Sequence, residues 1–382
     1  MLMKKSLLCW TIPALLTSTT LTAAPMLVFI GTYTNTTSRG IYALRLDSEV
    51  GSLSAPWLAA EARNPTFLAL DPGHLHLYST GELRLNPPPA SPLGGISAFA
   101  VDRDSGRLVF LNQQPTGAGA TTHVAVDSTG RMAIAANFGA GYVCALPIGP
   151  DGRLGARSAF FEHHGPPGPN RDRQAEAHAH SITISPDNRF ALACDLGLDR
   201  IFVYRINAAE AALTPNDPPF GAAPPGAGPR HGKFSADGRF FYSTNEMGGS
   251  VCAYSWDGAR GTLVLLQTIS TLPADFRELN TVAEIRLHPN GRFVYASNRG
   301  HDSVAVFARD PALGTLRPVE TVPCGGKHPR NFALSPDGRW LVCANRDTDN
   351  VVLFRVDPDS GRLEKTRSEV AVPRPVCVLF CD

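Results

Sequence analysis

The sequence predicts an all-β chain closed into a seven-bladed β-propeller with four antiparallel strands per blade. Three observations carry this. A pattern of about fifty residues recurs along the chain, each copy holds four short strand-like runs, and the two chain ends are fragments of one shared copy.

The repeat is plainest where Pro229-Arg230-His231 leads into Ser235-Ala-Asp-Gly-Arg239 and Pro329-Arg330-Asn331 leads into Ser335-Pro-Asp-Gly-Arg339. The two arginines after proline stand 100 residues apart, with one further copy, Glu284 to Asn298, between them. Earlier copies begin near Pro65, His123 and His180, and a partial one begins at Pro375. Each copy opens with a short apolar strand that ends in the Ser-Pro-Asp-Gly-Arg type of turn. Proline fixes φ there, and Gly or Asn takes the left-handed position. A second apolar strand, such as Phe293 to Ser297, stops at Asn or Asp. A third follows, such as Ser303 to Phe307, and a Gly-x-Leu turn opens the fourth, as in Gly106-Arg-Leu108, Gly152-Arg-Leu154 and Gly361-Arg-Leu363. Residues 27–62 carry the strands of a first blade without its inner strand, with Gly31 and Gly40 read as tight turns. Residues 374–380 are an inner strand with nothing after them. Pairing the two closes the ring and leaves no open sheet edge.

The first 24 residues stand apart. Lys4 and Lys5 precede an apolar stretch broken by Pro13, and the segment ends in Thr22-Ala-Ala24. This is the pattern of a secretory signal peptide, too short to span a bilayer. The expected organisation is therefore a leader over 1–24 and a single propeller domain over 25–382, with a periplasmic or secreted protein. A true start at Met26 would make it cytoplasmic instead. The net charge of +1 gives no electrostatic reason to expect nucleic acid or an anionic membrane as partner. Beyond Cys9 in the leader, seven cysteines lie scattered, mostly in strand-like runs and without CxxC spacing, so they read as small buried hydrophobes. No metal and no cofactor is expected, and the chain is expected to be a monomer. The weighed alternative to a metal-free site is Ca²⁺ on Glu284, Asn245 and Asp195.

Because strands within a blade alternate in direction, the start of the inner strand and the end of the second strand share one channel mouth. His123, His180, Arg230, His231, Glu246, Glu284, Arg299, Arg330 and Arg346 fall at these positions, all on blades three to seven. Cationic and acid–base groups converging on one mouth suit a small anionic ligand. Arg gives planar, bidentate recognition of carboxylate or phosphate, and Glu or His can act as a general base on water. The asparagines that close second strands, Asn137, Asn245, Asn298 and Asn345, read as turn-formers. Arg346 reads equally well as plain surface. His163, His164 and His178 read as loop histidines in or beside the Pro-rich segment from Gly165 to Ala177, with His178 and His180 pointing the same way along a strand.

The chain resembles the β-propeller lactonase family, which includes propeller-type 6-phosphogluconolactonases and carboxymuconate-lactonising enzymes. The carriers are Phe29-Ile-Gly-Thr-Tyr33, His180-Ser181, Asp199-Arg-Ile-Phe-Val-Tyr204, Gly226-Ala-Gly-Pro-Arg-His231, Asn245-Glu246, Ala283-Glu284 and Pro329-Arg330. The resemblance implies a hydrolase of an intramolecular ester and a catalytic set of His180, Arg230, Glu246 and Arg299, with His123, His231, Glu284 and Arg330 as substrate-binding candidates. Glu284 stands where the family's phosphogluconolactonases often carry Asp. The expected substrate is an anionic sugar-acid lactone, 6-phosphogluconolactone or an unphosphorylated aldonolactone. Arginines would hold the anion, and either Glu246 or His180 would activate water. Two other readings stay open: a lactonising cyclase on a muconate-type dicarboxylate, and a non-catalytic propeller that binds a ligand or protein.

Overall fold

The computed structural model describes residues 24–83 and 93–381. The leader expected over 1–24 lies, but for its last residue, outside the described residues. Seven antiparallel sheets succeed one another around a central channel. Their inner strands are Pro375–Cys381, Leu68–Leu70, Thr121–Val126, Ala179–Ile184, Pro229–Phe234, Thr281–Leu287 and Pro329–Leu334. The first belongs to blade 1, where it pairs with Met26–Thr32, so the two chain ends close the ring as expected. In that blade the outermost strand is split into Ser52–Leu53 and Trp57–Glu61, which both pair with Gly40–Asp47. No helix among the described residues is long and apolar enough to cross a membrane.

The turns explain the repeat. At the inner-to-second-strand turns of blades 4, 5 and 7 a serine side chain accepts the backbone N–H that restarts the sheet: Ser185 from Phe190, Ser235 from Phe240 and Ser335 from Trp340, each at 3.0 Å. Asp127 does the same for Met132 at 2.8 Å. The left-handed residue follows, Asn188 at φ 60° and Gly238 at φ 67°. The Gly-x-Leu motif stitches neighbouring blades. The Tyr78, Tyr242 and Tyr295 hydroxyls donate to the carbonyls of Gly152, Gly314 and Gly361 on the next blade at 2.8–3.0 Å. A Cβ on any of these glycines would collide with the ring of His76, Phe240 or Phe293, and the leucine two residues on is buried. Apolar residues on facing sheets then fill the wedges between blades, as where Val28, Ile30, Leu44 and Leu46 meet Trp340, Val342 and Leu353. The cysteines from Cys144 to Cys381 are buried and unbonded to one another, packing as small hydrophobes.

Two expectations are corrected. Gly31 is not at a turn. It lies inside Met26–Thr32, where a Cβ would strike the Pro65 carbonyl oxygen. Gly40 opens the second of that pair of strands. His163 is not a solvated loop histidine. It follows Ala159–Glu162, its ring is fully buried and stacks on Phe202 at 3.8 Å, and Nδ1 and Nε2 meet Asp195 Oδ2 at 2.6 Å and the Tyr204 hydroxyl at 2.9 Å. Its polar loop neighbours hid a partner set that exists only in space. Removing one member leaves buried polar atoms unpaired, which costs about 1–3 kcal/mol. His163→Leu is therefore expected to lower the denaturant midpoint while leaving turnover unchanged.

Candidate active site

The inner strands carry a repeated irregularity that aims the site. In blades 1 and 3–7, pairing with the second strand gains one residue on the inner strand near the mouth. Such a bulge re-aims side chains out of strict alternation. It falls on Thr122, His180, Arg230, Ala283, Arg330 and Val376 or their immediate neighbours. In blade 5, Arg230 and His231 together oppose Thr244, whose hydroxyl accepts the His231 N–H at 3.2 Å. In blade 6, Ala283 and Glu284 oppose Ser297, which accepts the Glu284 N–H at 3.1 Å. The bulge also undoes the expected shared direction of His178 and His180. These instead flank the Phe138 ring, one stacked at 4.4 Å and the other edge-on at 5.5 Å.

The structure brings Arg230, Glu246 and Arg299 together. Glu246 Oε2 accepts from Arg230 Nε at 3.0 Å and from Arg299 Nη2 at 2.8 Å. Arg230 is 1% exposed and also donates to the Ala283 carbonyl at 2.9 Å. Arg299 donates to the Val282 carbonyl at 3.1 Å. A third arginine, absent from the sequence expectations, completes the group: Arg173 Nη2 reaches Glu246 Oε1 at 2.7 Å. It comes from the long segment between blades 3 and 4, which Gln174 pins in place. The Gln174 amide donates to the Leu196 carbonyl at 2.9 Å and to Asp199 at 2.8 Å, and Asp199 in turn accepts the Gly226 and Gly228 N–H groups at 2.7 Å. The Asp199 and Gly226-Ala-Gly228 motifs thus form the cradle that carries Arg173 over the mouth. The charged run Arg171-Asp-Arg173 was the signal in the sequence, outweighed there by the histidines around it.

Three guanidiniums sharing one carboxylate leave the mouth positive. Arg330 adds a fourth cation. Among the described residues it has no ion pair, and it lies over the Tyr33 ring at 5.5 Å, half-buried. Burial would raise the Glu246 carboxyl, but Arg299 and Arg230 outweigh it and hold it well below the usual carboxylate range. Burial, then the charges of Arg299 and Arg330, pull Arg230 down from its usual value, yet a guanidinium stays protonated. Burial and Arg230 push His180 well below the usual imidazole range, so its ring is neutral. Its Nδ1 is buried without a hydrogen-bond partner among the described residues. Arg346 belongs to a separate surface group, bonded to Asp347 at 2.7 Å.

His123, His231 and Glu284 lie one layer deeper. Phe67, His123, His231 and His180 pack ring against ring at 3.8–5.7 Å and form a floor across the channel. Glu284 is fully buried and accepts from Asn331 and from His231 Nδ1. Of the weighed calcium ligands, Asp195 is taken up by His163 and Glu284 by His231 and Asn331, while Asn245 gives its amide N–H to Ser250 at 2.9 Å and its Oδ1 is buried without a hydrogen-bond partner among the described residues. No group of three or more His, Cys, Asp or Glu among the described residues is arranged to hold a metal ion. Opposite the arginines, blades 1–3 line a cleft of about 430 Å³ with Tyr33, Thr66, Gly81, Gly94 and Thr122.

The model of the family described as lactonase, 7-bladed beta-propeller, matches residues 27–380. The chain belongs to the seven-bladed β-propeller lactonase family. This lactonase is 37% identical over 352 residues to the 6-phosphogluconolactonase of Bacillus subtilis (strain 168), covering 92% of this chain and 97% of that one. It is 31% identical over 312 residues to the 6-phosphogluconolactonase of Formosa agariphila, covering 80% and 86%. Among solved structures, the Pseudomonas aeruginosa periplasmic gluconolactonase superposes with a TM-score of 0.88 at 36% identity, covering 94% of this chain and 99% of that one.

The arm over the mouth of the lactonase is open to test. Arg173 has 42% of its side chain exposed, so it can be removed without leaving a core cavity. Arg173→Ala is expected to lower kcat/KM on a lactone about tenfold, mainly through kcat, the loss of one charge-assisted hydrogen bond. The melting temperature should stay put. Steady-state kinetics with a thermal scan reads both.

Proposed function

We propose that this lactonase hydrolyses a sugar-acid lactone bearing a second negative group, a phosphate or a carboxylate, without a metal. The observation that carries this reading is the excess of arginine over carboxylate at one channel mouth, with Arg330 in no ion pair among the described residues. In this reading Arg330 takes the anionic substituent and the neutral ring fills the cleft beside Tyr33. The lactone carbonyl faces Arg299 and Arg173, which stabilise the oxyanion that forms when water attacks. His180 accepts the proton of that water. It is a weak base in the empty site, because burial and Arg230 disfavour its cation. A bound anion offsets that repulsion and brings its pKa towards the working range. Glu246 is too weak a base beside its arginines and acts by holding them in place. The names of the Bacillus, Formosa and Pseudomonas relatives support a sugar-lactone substrate.

The leader-like pattern over 1–24 and the periplasmic relative support export. N-terminal sequencing of the protein from fractionated cells tests that. The activity is tested by assaying purified protein on 6-phosphoglucono-δ-lactone, glucono-δ-lactone and a glucarolactone, with and without chelator. The reading expects higher kcat/KM on the charged lactones and no effect of chelator. Equal rates on charged and neutral lactones would overturn the charge assignment, and loss of activity with chelator would overturn the metal-free one.

A further inference from the structure

Below the floor of aromatic and histidine rings, the channel opens again towards the opposite face. This second cavity measures about 490 Å³ and is lined by inner strands of blades 1–6. Its chemistry is concentrated on Lys233 and Arg286, which hold equivalent positions on the adjacent inner strands of blades 5 and 6. None of the described residues lining the cavity is a carboxylate.

Lys233 is the anomaly. The residue is half-buried, and its ammonium has neither a hydrogen bond nor an ion pair among the described residues. The carboxylate nearest in effect, Glu284, is already committed: Oε1 lies 3.5 Å from Arg286 Nε, and Oε2 accepts from His231 and Asn331. The neighbouring Cys194 and Cys377 thiols are pushed up to about 12 by burial and carry no charge. Two cations therefore share part of one carboxylate inside a cavity, an arrangement that is unfavourable until an anion enters. Burial, with the charge of Arg286, brings Lys233 down to about 8, so it is still mostly protonated at neutral pH. Thr183 adds a hydroxyl to the wall, although its proton is given to the Gly232 carbonyl at 2.8 Å.

We propose that this far end of the channel is a second anion site, in which Lys233 and Arg286 bind a small carboxylate or phosphate apart from the lactone mouth. The floor of rings separates the two sites, so each is removable alone.

The test is calorimetric titration of the full chain at pH 7 with inorganic phosphate and, separately, with acetate. The variants are Lys233→Met, Lys233→Arg and, for the mouth, Arg330→Ala. The proposal expects a binding event with phosphate, acetate or both that survives in Arg330→Ala and Lys233→Arg and disappears in Lys233→Met. Which anion gives that event names the ligand chemistry. Lys233→Met should keep lactone hydrolysis within twofold of wild type. The bound anion should raise the melting temperature of Arg330→Ala but not of the double variant Arg330→Ala/Lys233→Met. Anion binding unchanged in Lys233→Met, or no event beyond the one lost in Arg330→Ala, overturns the proposal. Should Lys233→Met not fold, reductive methylation of wild type decides. Lys233 is expected to be shielded by the anion that binds, and labelling unaffected by both anions overturns the site. The lactone reading concerns the other mouth, so either can fail alone.

Discussion

Glu246→Gln is expected to cost about 3 kcal/mol of stability and to lower kcat/KM on any lactone roughly 100-fold to 1000-fold. Both effects follow from one geometry. A 4%-exposed carboxylate binds Arg173, Arg230 and Arg299. Neutralising one partner of a buried ion pair strands the other charges, at a cost of about 3–5 kcal/mol for full removal. Gln keeps the shape and one acceptor oxygen, which puts the loss at the lower end. The arginines then repel one another out of alignment, and a site that works by fixed charges loses its transition-state stabilisation. The pH dependence separates this from a simple packing defect. The folded-state pKa of Glu246 lies below its unfolded value, so its contribution is fully present above the unfolded pKa and fades as pH falls through the folded one. The stability gap between wild type and Glu246→Gln should be flat from about pH 8 to pH 5 and close progressively below about pH 4.5. Denaturant melts across that range read it.

Arg330→Ala is the substitution expected to discriminate most between substrates. Arg230 and Arg299 already spend their charge on Glu246, whereas Arg330 lies over the face of Tyr33 and has no ion pair among the described residues. Removing it should lower kcat/KM on an anionic lactone by one to two decades, from the roughly 1.5–3 kcal/mol carried by a charge-assisted hydrogen bond. The rate on glucono-δ-lactone should change less than about threefold, with no loss of thermal stability. Parallel kinetics on the two lactones checks the prediction, and an equal loss on both would reassign Arg330 to the reaction centre.

The fold was legible because its rules are local. Ser-Pro-Asp-Gly-Arg specifies a turn wherever it occurs, and the glycine of Gly-x-Leu is forced by a ring on the preceding blade. The ring closure was legible because an inner strand without a blade and a blade without an inner strand sit at opposite ends of one chain. Mouth positions could be read from the same repeat, since the bulge recurs at nearly the same place in each copy. Pairing could not. Arg173 arrives from a segment outside the repeat, and only Asp199 and Gln174, meeting in space, show why it stays there. His163 was misread for the same reason: Asp195 and Tyr204 are 32 and 41 residues away along the chain. The proposal of His180 rather than Glu246 as base rests on the arginines that meet around one carboxylate in space, which the sequence does not count. Lys233 drew no notice because a lysine in a half-apolar strand looks solvated until its neighbours are known.

The central claim is that the arginine-rich mouth, and not the outer face of the propeller, holds an anionic sugar-acid lactone. The most direct measurement is a crystal structure of the full chain with 6-phosphogluconate, the hydrolysis product of the phosphorylated lactone. The account predicts the phosphate on Arg330 and the new carboxylate within hydrogen-bond distance of Arg299 or Arg173, with the sugar carbons beside Tyr33. Product bound elsewhere, with Arg330 and Arg299 making no contact to it, would contradict the account.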